Sequence, residues 1–218
     1  MSPAFLPALV FDCDGVLVDS EYLASRVESE LTAELGLDLS VDAAHAMFLG
    51  KTVDGVLDAI GERTGQRPGS GFVYNWAFAT ARAFQREMQP IPFIVPALEE
   101  LRGRGHRMAV ASQSSLARVR FCLELAGLDG FFGEHVYVTS MVPRPKPAPD
   151  IYLYAAHKLD ATPAQCWVIE DSIAGAASAL AAGFRTIGYA PGESQQAMRA
   201  TGVSVIHSMD ELLGRITA

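Results

Sequence analysis

The sequence predicts an α/β protein with a largely parallel sheet as its core and a helical insert after the first strand. Short, continuously apolar and often β-branched runs alternate with longer amphipathic ones over most of the chain, as expected of strands covered on both faces. Several of these runs end on a polar residue at a turn: Asp12, Ser112 and Glu170–Asp171. The stretch 19–89 breaks the rhythm with helical periods and no convincing strand. The predicted domains are therefore a core of residues 1–18 and 90–218 and a helical domain of residues 19–89. A chain of 218 residues with 50% hydrophobic content is long enough for such a core and a smaller insert.

The first strand is Ala8–Phe11, running into Asp12. Later strands are expected at Met108–Ala111, Val136–Val138, Trp167–Ile169 and Thr186–Tyr189, with a sixth candidate at Val203–Ile206. Between them, Leu98 and Leu101 precede a stop at Gly103 and Gly105. Ser115 is placed to cap a helix carrying Val119, Leu123 and Ala126, which stops at Gly127. Ile151, Ala155 and Leu159 fit a helix after Pro149, and Ile173, Ala177 and Leu180 fit one ending at Gly183. In the insert, Leu23, Val27, Leu31 and Leu35 recur every fourth residue up to Gly36. Thr52 caps a helix with Val53, Leu57 and Ile60, and Phe72–Met88 presents Val73, Trp76, Thr80 and Phe84 on one face. Gly65–Gly71, with Pro68 and Ser70, reads as a loop.

The formal net charge is -8, and no basic run offsets it. Nucleic acid and anionic membrane are therefore not expected partners. No window approaches the roughly 18 uncharged apolar residues of a membrane helix. The start MSPAFLPALVFDCDG lacks the basic leader of a secretory signal. Cys13, Cys122 and Cys166 are odd in number and set among apolar residues, which suits reduced, packed thiols and a cytoplasmic protein. A monomer or weak homo-oligomer is expected.

In a parallel sheet the carboxyl ends of the strands share one edge, where ligands bind. Asp12 and Asp14 lie at i and i+2 at such an end, and Gly15 permits a sharp turn. One carboxylate can attack phosphorus and the other can protonate the leaving oxygen and then activate water; a solvated acidic turn is the plainer alternative. Glu170–Asp171 can cap the next helix, or, beside phosphate chemistry, hold magnesium, which takes hard oxygen ligands. The Ser112 hydroxyl and the backbone N–H groups of Gln113 and Ser114 can hold phosphate oxygens at a helix N-terminus. Lys146 is one of only three lysines and sits in Arg144–Pro–Lys–Pro–Ala–Pro149, where prolines on both sides present it. The five histidines show no zinc-ligand spacing.

Taken in order, Asp12–Val16, Ser112, Lys146 and Glu170–Asp171 resemble the four motifs of the haloacid dehalogenase superfamily. The stretches FDCDGVLVDSE (11–21), KPAPDIY (146–152) and VIEDSIAGAASALAAG (168–183) are similar to its β-phosphoglucomutase-like subgroup. The resemblance implies a Rossmann-like core and a helical cap over 19–89. It implies Asp12 as nucleophile and Asp14 as general acid/base, with Ser112, Gln113 and Lys146 binding phosphate. It also implies Mg2+ held by Asp12, Asp14, Asp171 and Glu170. Asp14 argues against dehalogenation, because halide needs no proton to leave whereas a phosphoryl ester oxygen does. The mutase resembled has a histidine where this chain has Ala24 and an arginine where it has Val53. The expected activity is therefore hydrolysis of a small phosphorylated metabolite, a sugar or sugar-acid phosphate, with a phosphosugar mutase or a non-catalytic phosphometabolite-binding protein as alternatives. Lys51, Arg82 and Arg86 are candidate substrate-anion partners in the insert.

Overall fold

A computed structural model describes residues 6–192 and 195–216; the first part of the N-terminal stretch read for a leader, residues 1–5, lies outside them. The chain divides into two compact units, residues 1–18 with 89–218 and residues 19–88. The first unit opens with β1 (Ala8–Phe11). The second holds α1 (Ser20–Ala33), α2 (Val41–Phe48), α3 (Val53–Thr64) and α4 (Ser70–Glu87). The chain then returns to the first unit through α5 (Ile94–Gly103), β2 (Met108–Ser112), α6 (Leu116–Leu125), α7 (Asp129–Phe132) and β3 (Val136–Val138). It ends with α8 (Asp150–Lys158), β4 (Cys166–Glu170), α9 (Ile173–Ala181), β5 (Arg185–Tyr189), α10 (Gln195–Ala200), β6 (Ser204–Ile206) and α11 (Leu212–Arg215).

All six apolar runs, including the sixth candidate, form one sheet in the order β3-β2-β1-β4-β5-β6, with every pairing parallel. Side chains alternate between the faces of a strand. Ala8 and Val10 of β1 join Ala109, Ala111 and Val168 in a cluster completed by Ile151, Tyr152 and Ala155 of α8. From the other parity of β1, Phe11 meets Phe132 of α7 edge-on, with ring centroids 5.9 Å apart. Both faces are therefore covered, which is why the strands read as unbroken apolar runs. Among the described residues no helix is long and apolar enough to cross a membrane.

The helical unit has its own core, in which Ala44 and Phe48 of α2 cluster with Val56 and Ile60 of α3. Helix α2 carries no obvious period in sequence because it is only two turns long; the Ser40 side chain caps it by accepting from the Ala43 N–H at 3.2 Å. Helix α4 begins at Ser70, inside the stretch expected to be a loop. Val53 and Leu35, read as apolar-face residues, are exposed: Leu35 lies past the end of α1, and α3 instead turns Val56, Leu57 and Ile60 inward.

Helix α9 falls where expected but buries the opposite face. Gly175, Ala176, Ser178 and Ala179 are inside, while Ile173 is 52% exposed. The reason is close approach: a Cβ on Gly175 would lie 1.8 Å from Glu170 Oε1 and 2.0 Å from its Cδ. Only small residues let the helix lie against the end of β4. Gly175→Ala is expected to overpack this contact and cost about 1–3 kcal/mol, read as a lower urea midpoint with an unchanged m-value.

Candidate active site

Chain direction places the site. From β1 the chain builds β2 and β3 on one side, then returns to build β4, β5 and β6 on the other. The boundary of β1 and β4 is therefore a switch point, where crossover connections diverge and leave a crevice at the strand ends. The Asp12 N–H donates to the Ile169 carbonyl at 2.9 Å, tying the end of β1 to β4. The chain then turns tightly, with the Gly15 N–H donating to the Val18 carbonyl at 2.9 Å. Gly15 has φ +79°, and a Cβ there would lie 2.0 Å from Asp171 Oδ2. Both facts require glycine, and the second shows that the Asp171 carboxylate rests directly on the Asp12–Gly15 turn.

Lys146 reaches the same place from the proline-flanked loop. Its Nζ donates to Asp12 Oδ1 at 2.5 Å, to Glu170 Oε1 at 2.6 Å and to the Ala111 carbonyl at 3.2 Å, with only 3% of its side chain exposed. The ring of Tyr152 lies beneath it, 4.8 Å from Nζ to centroid. Burial favours the neutral amine, but Asp12, Tyr152 and Glu170 together hold the Lys146 ammonium well above its usual range. Burial pushes the Asp12 carboxyl up to about 8; Lys146 pulls against this, while Glu170 and Asp14 add to it.

Glu170 is fully enclosed. Oε1 accepts from Lys146 and from the Tyr152 hydroxyl at 2.6 Å, and Oε2 accepts from the Ser172 N–H at 2.9 Å and its hydroxyl at 2.8 Å. Burial alone would raise its pKa, but Lys146 and these donors hold it below the usual carboxylate range. Protein donors thus meet both oxygens of Glu170 in this structure. Among the described residues no group of three or more His, Cys, Asp and Glu side chains is set to hold a metal ion. The oxygen donors gathered at the turn are Asp12, Asp14 and Asp171.

Asp14 faces the loop after β2. Its Oδ2 accepts from the Ser114 hydroxyl at 2.8 Å and lies 3.4 Å from that of Ser112. Its Oδ1 lies 3.5 Å from Arg118 Nη2. Ser112 is buried, and its oxygen accepts the Ser114 N–H at 3.0 Å, so that N–H is already engaged within the loop rather than turned to an anion. Gln113 is exposed. Lys51, Arg82 and Arg86 belong to the helical unit and are exposed there; Lys51 precedes the Thr52 cap of α3, and the Arg82 guanidinium lies 5.7 Å from the Phe78 ring centroid.

Sequence reasoning left Tyr152, Ser172, Arg118 and the Ser114 hydroxyl without roles. Tyr152 is indistinguishable by period from the core residues Ile151 and Ala155 beside it. Arg118 did carry a signal: it is a cation in the first turn of α6, where the helix dipole disfavours one.

A model of the haloacid dehalogenase-like hydrolase family matches residues 6–183. The chain is 30% identical to hexitol phosphatase B of Escherichia coli (strain K12) over 217 residues, covering 98% of this chain and 97% of that protein. It is 31% identical over 219 residues to the chloroplastic Protein SUPPRESSOR OF QUENCHING 1 of Arabidopsis thaliana; the match covers 91% of this chain and spans only 19% of that protein's length. The crystal structure of a HAD family hydrolase from Deinococcus radiodurans R1, with bound phosphate and sodium, is similar with a TM-score of 0.85. It is 35% identical, and the match covers 96% of this chain and 94% of that one.

Lys146→Met would leave Asp12 and Glu170 facing each other without their shared cation. Removing one partner of a buried ion pair costs about 3–5 kcal/mol, so denaturant unfolding at neutral pH should show a loss of that order. Glu170, held low by Lys146, contributes stability above the ordinary carboxylate range that is lost as pH falls. The gap between variant and parent should therefore narrow on acidification.

Proposed function

The chain belongs to the haloacid dehalogenase-like hydrolase family and is a phosphomonoester hydrolase, and from that premise we propose that its substrate is a sugar or sugar-acid phosphate cleaved through an aspartyl phosphate on Asp12. The observation that carries this reading is the buried Lys146–Asp12 pair at the switch point of the sheet. An oxygen nucleophile and the ammonium that neutralises an incoming phosphoryl group stand together there, with a second acid two residues on.

In the first step an Asp12 carboxylate oxygen bonds to phosphorus, the ester P–O bond breaks, and Asp14 gives its proton to the departing oxygen. In the second step water attacks the same phosphorus and Asp14 takes the proton it sheds. Asp12 leaves as carboxylate, and inorganic phosphate is released. The Lys146 ammonium, whose N–H groups reach Asp12, Glu170 and the Ala111 carbonyl, offsets the phosphoryl charge in both steps, and Ser112 and Gln113 bound the phosphate pocket. Glu170 acts through Lys146: with Tyr152 and Ser172 it fixes where the ammonium points.

Mg2+ fits the donor set. The oxygens of Asp12, Asp171 and the Asp14 backbone carbonyl would hold it, and an ion that keeps several waters needs no closed cage. When bound, it supplies a Lewis acid that offsets the charge of the substrate phosphate. Burial raises the Asp12 carboxyl to about 8, so a cation beside it favours the ionised form that attack requires. The helical unit 19–88 is proposed as the cap that sets selectivity, with Lys51, Arg82 and Arg86 as its anion-binding candidates. The three free, buried cysteines support a reducing, cytoplasmic setting.

Hexose and hexitol phosphates incubated with the protein and magnesium should yield free phosphate; a positional isomer without phosphate release would instead make it a mutase. In the same assay Asp12→Asn should leave no measurable turnover, and Asp14→Asn should lower kcat by about 10²–10⁴-fold. Excess chelator should stop the reaction and magnesium restore it; activity that persists in chelator would remove the metal from this account.

A further inference from the structure

We infer that Ser114 and Arg118 are positioning residues that hold the Asp14 carboxylate at both of its oxygens and so aim it at the leaving group. The inference rests on the acid/base role proposed for Asp14.

The geometry is a two-point hold. The Ser114 hydroxyl donates to Oδ2 at 2.8 Å, while Arg118 Nη2 stands 3.5 Å from Oδ1. A carboxylate on a short side chain can rotate about its last bond, and a proton delivered from the wrong oxygen or angle is of little use to a reacting ester. A hydrogen bond at one oxygen and an ion pair at the other restrict that freedom. The Ser112 hydroxyl, 3.4 Å from Oδ2, lies on the same oxygen as Ser114, so the contact at Oδ1 is Arg118's.

The placement of Arg118 points the same way. The Ser115 hydroxyl caps α6 by accepting from the Arg118 N–H at 3.3 Å, so Arg118 lies in the first turn, which contains no acidic residue. Exposed N–H groups make that end of a helix positive, and a guanidinium there is disfavoured unless an anion answers it. Asp14, from a turn about a hundred residues earlier, is an anion beside it. With Arg118 38% exposed and Asp14 15% exposed, such a pair adds little stability; its effect is on orientation.

A distinctive kinetic signature follows. A 4-nitrophenolate group leaves as a stable anion and needs little help from an acid, whereas phenolate, nearly the same size, needs a proton. The quantity kcat/KM covers the steps up to phosphoryl transfer onto Asp12 and excludes hydrolysis of the intermediate. We would measure kcat/KM for phenyl phosphate and 4-nitrophenyl phosphate with magnesium, for the parent, Asp14→Asn, Ser114→Ala, Arg118→Gln and the Ser114→Ala/Arg118→Gln pair. The phenyl-to-nitrophenyl ratio should fall about tenfold in the double variant, part of the effect of a general acid. Ser114→Thr, which keeps the hydroxyl, should recover most of the loss seen in Ser114→Ala. A double variant with the parent's ratio, or with both esters slowed by the same factor, overturns this inference while a selective Asp14→Asn keeps the reaction scheme intact. If Asp14→Asn slows both esters equally, or the parent cleaves neither, the acid/base reading itself falls and takes this inference with it.

Discussion

One buried ammonium organises the catalytic end of this molecule. Lys146 lies between the carboxylates of Asp12 and Glu170 with almost no access to solvent. Neither acid could be enclosed without it: a bare buried carboxylate is far more costly than a paired one. The pair joins elements far apart in sequence. Asp12 ends β1, Glu170 ends β4, Lys146 comes from the loop before α8, and Tyr152 of that helix supplies both a hydroxyl to Glu170 and a ring beneath the lysine.

The two acids that share Lys146 are not equivalent. Glu170 is met by four donors and is held in its charged form. Asp12 accepts from Lys146, but burial dominates and its carboxyl is pushed up. One environment makes an anchor and the other leaves a group whose charge depends on what arrives next to it. An incoming phosphate brings more negative charge to a place already carrying Asp12, Asp14 and Asp171, which is the electrostatic reason a hard cation belongs in the reading. The same anchor shapes packing: α9 approaches Glu170 closely enough that Gly175 is obligatory, and its small-residue face follows from that contact.

The reaction proposed divides its work between neighbouring supports. Lys146 and its anchor serve the nucleophile and the phosphoryl group, while the loop after β2 serves the acid/base, through Ser114 and Arg118. Substrate selection is proposed to lie with the helical unit, whose exposed cations stand on α4 and beside the cap of α3.

Much of this was legible in the chain itself. Strands covered on both faces must be apolar throughout, so all six could be read as short unbroken runs. Asp12, Ser112 and Glu170–Asp171 could be grouped because parallel strands bring their ends to one edge, while Asp14 and Lys146 joined them through the resemblance to a known family. Other features depended on contacts between residues remote in sequence. Periodicity marks a helix but not its inner face, so α9 was found while Ile173 was taken for a packing residue. Nothing in the order of residues around Glu170 shows that Lys146, Tyr152 and Ser172 converge on it. Local pattern determined which groups stand at the site, because it reflects backbone period and chain direction. Tertiary structure alone decided which of them meet, because hydrogen bonding and burial depend on neighbours that the linear order does not bring together.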